Sequence, residues 1–162
     1  KAKNLLNETM KITNSIKNFQ LLGIQNILMS KIYNSSGDYK SEFKYLTQAK
    51  HFANLSNDYN TLINANFNLG TFYRRNNKLN EAENSYLSAL NLIEYKSNIL
   101  TEKADIQIKY YSNFYEVYNS LITLYLEEDN FIDALSLIEK SKSRNTNSNI
   151  LNHKLNFNNG NP

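Results

Sequence analysis

The sequence predicts an all-α fold, an array of about seven helices arranged as antiparallel pairs. Three observations carry that expectation. Only four Gly and one Pro occur in 162 residues, too few turn formers for a sandwich or a barrel. Apolar residues recur at helical spacing over most of the chain. A pattern of large and small apolar residues also repeats, first at 40 residues and then, once, at 52. With 41% hydrophobic, 12% aromatic and 20% charged residues, the composition is that of a globular domain rather than a disordered one.

Taken in order, the chain opens in mid-repeat. Ala2, Leu6 and Thr9 stand 40 residues before Glu42, Leu46 and Ala49, so residues 1–17 form the second helix of a truncated repeat. Helices over 20–35 and 39–55 follow as a pair, broken at Ser35-Ser36-Gly37-Asp38 by turn-forming side chains. The next pair covers 58–97, as helices 58–76 and 79–97. Asp58 is its N-cap candidate, and Arg75-Asn76-Asn77 its turn. The last pair covers 101–146, as helices 101–127 and 131–146 around Glu128-Asp129-Asn130. Its extra length lies between Ala89 and Leu121, where Leu90, Ile93, Ile99, Ala104, Ile108, Tyr111, Tyr115 and Tyr118 keep near-helical spacing. The array thus occupies 1–146, and residues 147–162 are a polar, Asn-rich tail or linker.

The clearest stretch runs from Leu69-Gly70-Thr71-Phe72-Tyr73 to Ala82, Tyr86 and Ala89. Upstream, Tyr33, Glu42, Leu46 and Ala49 repeat it; downstream, Leu121, Tyr125, Phe131, Ala134, Ile138 and Ser141 do. Leu-Gly-x2-Tyr followed by Ala-x3-Tyr-x2-Ala resembles the tetratricopeptide (TPR) signature. The resemblance implies a right-handed superhelix of helix pairs, with a concave groove lined by the first helices. Gly inside a helix costs about 1 kcal/mol relative to Ala. At Gly70 the return is close approach of the paired helices, so Gly70→Leu is expected to lower the thermal midpoint by several degrees.

Little in the chain points to chemistry. There is no Cys, which excludes disulfides and thiolate metal sites. His51 and His153 have no second His at ligand spacing. Nucleophile elbows and Gly-rich phosphate loops do not occur, and Glu127-Glu128-Asp129 reads as solvated turn charge. No catalytic residue, metal or cofactor is therefore expected, and the segment is read as non-enzymatic. Net charge is +3, too mild to imply nucleic acid or membrane partners. It is uneven, with 11 Lys/Arg against 5 Asp/Glu in residues 1–81 and 7 against 10 in 82–162. That asymmetry fits either partner steering or a solvated surface. No run of about 18 apolar residues is present to span a bilayer. Of the aromatic cluster Tyr110-Tyr111-Phe114-Tyr115-Tyr118, Tyr111, Phe114, Tyr115 and Tyr118 share one stripe, expected to pack between helices, with Tyr110 pointing elsewhere.

The TPR resemblance implies protein–protein interaction. Counting from the signature, the groove candidates are Ile27, Lys31, Asn34, Asn64, Phe67, Thr71, Arg74, Asn119 and Thr123. Positions that form a carboxylate clamp in some TPR proteins hold Phe67, Thr71, Glu116 and Ser120, so chaperone-tail binding is disfavoured. A mixed polar and aromatic groove suits a peptide or a neighbouring domain, and Lys31, Arg74 and Arg75 would favour acidic residues in it. Two finer resemblances remain open. Glu139, Ser141, Lys142 and Arg144 are similar to the close of arrays preceding CHAT (caspase-like) domains, implying a regulatory segment of a peptidase. Ser36-Gly37-Asp38-Tyr39 resembles the long-repeat arrays of bacterial sensor kinases and transcription regulators. The partner is a protein or peptide, and Leu5, Leu6 and Met10 also offer an apolar end for a homo-oligomer. The expected compartment is the cytoplasm, or the periplasm for a sensor region.

Overall fold

A computed structural model describes residues 1–99 and 110–142. Among them every regular element is an α-helix and no strand occurs. The helices are α1 (Ala2–Ser15), α2 (Phe19–Ser35), α3 (Tyr39–Leu55), α4 (Tyr59–Arg75), α5 (Leu79–Ile99), α6 (Tyr115–Glu127) and α7 (131–142). The chain divides into two compact units, Lys1–Ala89 and Leu90–Pro162, the division falling inside α5. This is a helical repeat.

The turns set its geometry. Lys17, Gly37, Asn57 and Asn77 carry φ values of 52°, 73°, 52° and 56°, one every twenty residues. Each is the left-handed residue of a helix stop in which two backbone N–H groups double back on the last helical carbonyls. At the first pair's turn, Gly37 N donates to Asn34 O (3.1 Å) and Asp38 N to Tyr33 O (3.0 Å). The same two bonds recur at Lys17/Asn18, Asn57/Asp58, Asn77/Lys78 and, between α6 and α7, Asp129/Asn130. The residue closing each stop also starts the next helix. Asn18 accepts from Leu21 N (3.0 Å), Asp38 from Ser41 N (3.0 Å), Asp58 from Thr61 N (3.3 Å) and Asn130 from Asp133 N (3.4 Å). These are N-caps. Lys78 is the exception, because an ammonium has no acceptor to offer.

Three-residue turns make successive helices antiparallel neighbours. In the first unit, α1 packs on α2, α2 on α3 and α3 on α4, and α2 also touches α4. Ile27, Leu46, Ala49, Ala65 and Leu69 form its core, with Phe43, Phe72 and Tyr73 packed around it. The small positions lie where helices cross. Ala49, Ala53, Ala82 and Ala89 are fully enclosed. A Cβ placed on Gly70 would stand 2.6 Å from both Cδ1 and Cε1 of Tyr86, whose side chain is only 1% exposed. The close approach expected at Gly70 is therefore a contact with the Tyr86 ring.

The second unit is built on the end of α5 with α6 and α7. Ile93, Val117, Leu121, Leu124 and Ala134 are buried in it, and Lys140 Nζ on α7 pairs with Glu94 Oε1 on α5 at 2.5 Å. The shift of 52 residues holds at Leu121, Tyr125 and Ala134, which are buried, whereas Phe131 is exposed. The single helix expected over 101–127 is interrupted. Residues 110–112 are helical, a turn follows at 113–114, and α6 starts at Tyr115. Phe114 sits at φ −121°, ψ 17°, outside helical space. That break re-sorts the aromatic stripe: Phe114 and Tyr118 are buried and Tyr115 is exposed. Tyr110, expected to point elsewhere, packs edge-on against Phe114 at 5.1 Å. The remaining residues of the expected 101–127 helix, 101–109, lie outside the described residues, as do 143–162.

Candidate functional site

The nine groove candidates fall on α2 and α4 in the first unit and on α6 in the second. Lys31 and Asn34 on α2 stand 40 residues before Thr71 and Arg74 on α4, and α2 and α4 are in contact. Lys31 and Asn64 are exposed, and Arg74 is half-buried. Thr123 Oγ1 donates to Asn119 O at 2.7 Å, so the α6 pair forms a local bond.

Three candidates are committed to core or helix-pair packing instead. Ile27 lies in the first unit's core and presents nothing to a groove, because α3 and α4 close over that side of α2. The Phe67 ring packs on Tyr86 at 5.9 Å. Thr71 Oγ1 donates to Phe67 O (3.2 Å) and stands 3.3 Å from the Tyr86 hydroxyl. Phe67 and Thr71 thus lock the ring that Gly70 admits, though both stay half-exposed. The nine candidates omit one position of this face: Ile24, 40 residues before Asn64, is 42% exposed, with Leu21 and Leu28 exposed on the same α2 stripe. Subtracting the period from Asn64 would have found Ile24. On α2 this face joins exposed Leu21, Ile24 and Leu28 to Lys31 and Asn34.

Arg75 is not a groove cation. Its Nη2 donates to Glu42 Oε1 at 2.6 Å and its Nη1 to Asn34 Oδ1, tying the start of α3 to the ends of α2 and α4. Glu42 occupies the place taken by Ala82 in the next repeat, and its side chain is 6% exposed against 36% for Arg75. A carboxylate at a small-residue position needs that partner. The spacing alone placed Glu42 in the repeat and gave no sign of this ion pair. A second buried polar set also repeats: Asn26 and Asn66, 40 apart, are enclosed with each Oδ1 lacking a hydrogen-bond partner. Asn26 Nδ2 donates to Leu22 O at 2.7 Å.

Neither of two clefts in the first unit is lined by any of the nine candidates. One, of about 450 Å³, lies among α1, α2 and α3, with Met10, Lys11, Asn26, Gln48 and Phe52 in its walls. The other, of about 370 Å³, lies where α3, α4 and α5 meet, lined by Tyr39, Lys40, Phe43, Phe72, Tyr73, Lys78 and Glu81. Forty residues before this second cleft, Lys3 Nζ sits 4.2 Å over the Tyr33 ring, and Tyr33 stacks on Tyr45 at 5.2 Å. The Tyr33 hydroxyl raises the Lys3 ammonium above the usual lysine range. Asp38 is held below the usual carboxylate range, first by its bonds from Ser41 and further by Lys3 and Lys40.

Among the described residues no helix is long and apolar enough to cross a membrane. No protein-family model matches the sequence, and no curated protein matches it significantly.

Proposed function

We propose that this chain is a tetratricopeptide-type array that serves as a protein–protein interaction scaffold or sensing module, holding a peptide or a neighbouring domain along its first-helix face. The observation that supports this reading most is the pairing of Gly70 with Tyr86. It puts a glycine and an enclosed ring at the two signature positions where such repeats bring their paired helices together. The twenty-residue recurrence of the turns adds weight, since stacked identical hairpins leave one helix of each pair on a common face.

In this reading the partner meets Lys31, Asn64 and Arg74, with Ile24 and Leu28 supplying apolar contact. Asn119 and Thr123 play the corresponding part in the second unit. A variant carrying Ile24→Glu and Asn64→Glu tests it, because both side chains are exposed and the fold should survive. Affinity capture with the native chain should return a protein that the variant fails to hold. Identical captures by both would reject the first-helix face. Self-association is a separate arm: light scattering that gives the monomer mass at high concentration would exclude the homo-oligomer.

A further inference from the structure

We propose that the cleft between α3, α4 and α5 is a docking site for an acidic peptide segment that inserts one aromatic or branched aliphatic side chain. Its floor is aromatic. Phe43 stands 5.3 Å from Phe72 and 5.9 Å from Tyr73, and Phe72 and Tyr73 are 5.8 Å apart. These three rings form the outer layer of the first unit's core, so an apolar side chain entering the cleft extends that core. Aromatic pockets of this kind anchor one large residue of a partner.

The internal repeat says what charge the occupant carries. At the equivalent positions 40 residues earlier, the place of Phe43 is taken by Lys3, that of Tyr73 by Tyr33, that of Lys78 by Asp38 and that of Glu81 by Ser41. At those positions the Lys3 ammonium lies over the Tyr33 ring, with Asp38 as the neighbouring anion. In the cleft the lysine is replaced by a floor ring and the aspartate by Lys78. The rim then holds two lysines, Lys40 and Lys78, against one carboxylate, Glu81. The turn residue has changed sign and the lining carries one net positive charge, so the complementary occupant is acidic.

Lys78 stands out on stability grounds as well. At the four other three-residue turns among the described residues the same place holds an Asn or Asp whose side chain caps the following helix. Lysine forgoes that cap, while adding its charge beside the positive end of α5. A cation retained where an acceptor would stabilise the helix is what a ligand-binding role requires. The site is separate from the first-helix face, so its failure would leave the scaffold reading standing.

The test is a nuclear magnetic resonance titration of the whole chain with three synthetic probes: acetyl-Asp-Glu-Phe-Asp-Glu-amide, the same peptide with Ser for Phe, and acetyl-Lys-Arg-Phe-Lys-Arg-amide. The acidic Phe peptide should give saturable shifts confined to residues 39–43 and 72–81. Binding should weaken at least about tenfold for the Ser peptide and for the chain carrying Lys78→Asp and Lys40→Glu. Lys78→Asp alone restores the cap, so it should melt no lower than the native chain while binding less tightly, which separates lost binding from lost fold. The proposal is overturned if the basic peptide binds as well, or if the variants bind undiminished. It is equally overturned if the shifts fall on α2 and the first-helix face of α4, or if no shift develops by about 1 mM peptide.

Discussion

Gly70 allows the packing logic to be tested at a single atom. An added Cβ would lie 2.6 Å from two ring carbons of Tyr86 and 3.0 Å from a third, where unstrained carbons sit about 3.5–4.0 Å apart. The ring must therefore retreat by about 1 Å. It has nowhere to go: Phe67 packs on its face and Thr71 meets its hydroxyl. Overpacking of this kind costs about 1–3 kcal/mol, and two simultaneous ring contacts place it at the upper end. Against this, Ala is favoured over Gly in a helix by about 1 kcal/mol. Gly70→Ala should thus destabilise by about 2 kcal/mol net, lowering the thermal midpoint by about 4–8 °C for a chain of this size. The first repeat supplies the control, since Ser30 and Leu46 occupy the equivalent buried places. In a Tyr86→Leu background, Gly70→Ala should no longer destabilise, giving a coupling of at least about 2 kcal/mol in a double-mutant cycle. Urea unfolding followed by circular dichroism measures all four proteins. A midpoint raised by Gly70→Ala, or a cycle that is additive, would refute the ring-contact account.

Three further outcomes follow from the same geometry. Lys17 is an exposed non-glycine at φ 52°, so Lys17→Gly should stabilise by about 1 kcal/mol, read as a higher thermal midpoint; a decrease would discount strain at that turn. Arg75→Ala strands the enclosed Glu42 carboxylate and should destabilise by about 1–3 kcal/mol, whereas adding Glu42→Ala should recover most of it; no recovery in urea unfolding would deny the pair. Burial, and then the neighbouring Tyr111, raise the Tyr110 hydroxyl to about 12. Folding thus favours the neutral phenol, and its contribution is present below the ordinary tyrosine value of about 10 and lost as pH rises towards 12. The native chain should lose more stability across that window than Tyr110→Phe, and equal losses would remove Tyr110 from the account.

Much of the fold was legible because helix-forming signals are local. The 40-residue shift located Leu46, Ala49, Leu69 and Ala89, all enclosed, since residues at equivalent heights on equivalent helices meet equivalent neighbours. Asp58 as a cap was readable for the same reason, its acceptor reaching only three residues ahead. The twenty-residue turn rhythm was harder to see: only one of the four residues that keep it, Gly37, is a glycine, and the others reach the left-handed region against their side chains. Site residues were read less well. Ile27 and Lys31 lie one turn apart on the same helix, yet one faces the core and the other solvent.

By itself, then, the sequence determined the helical class, the repeat and its small-residue crossings, because these depend on spacing along one helix or across one short turn. Tertiary structure decided which charges are free and which hollows are open. Arg75 is committed to Glu42, 33 residues away, and Lys3 lies over the Tyr33 ring while its counterpart, Phe43, floors a cleft. Those outcomes depend on which side chains of separate helices arrive at the same point, and the tertiary fold brings them there.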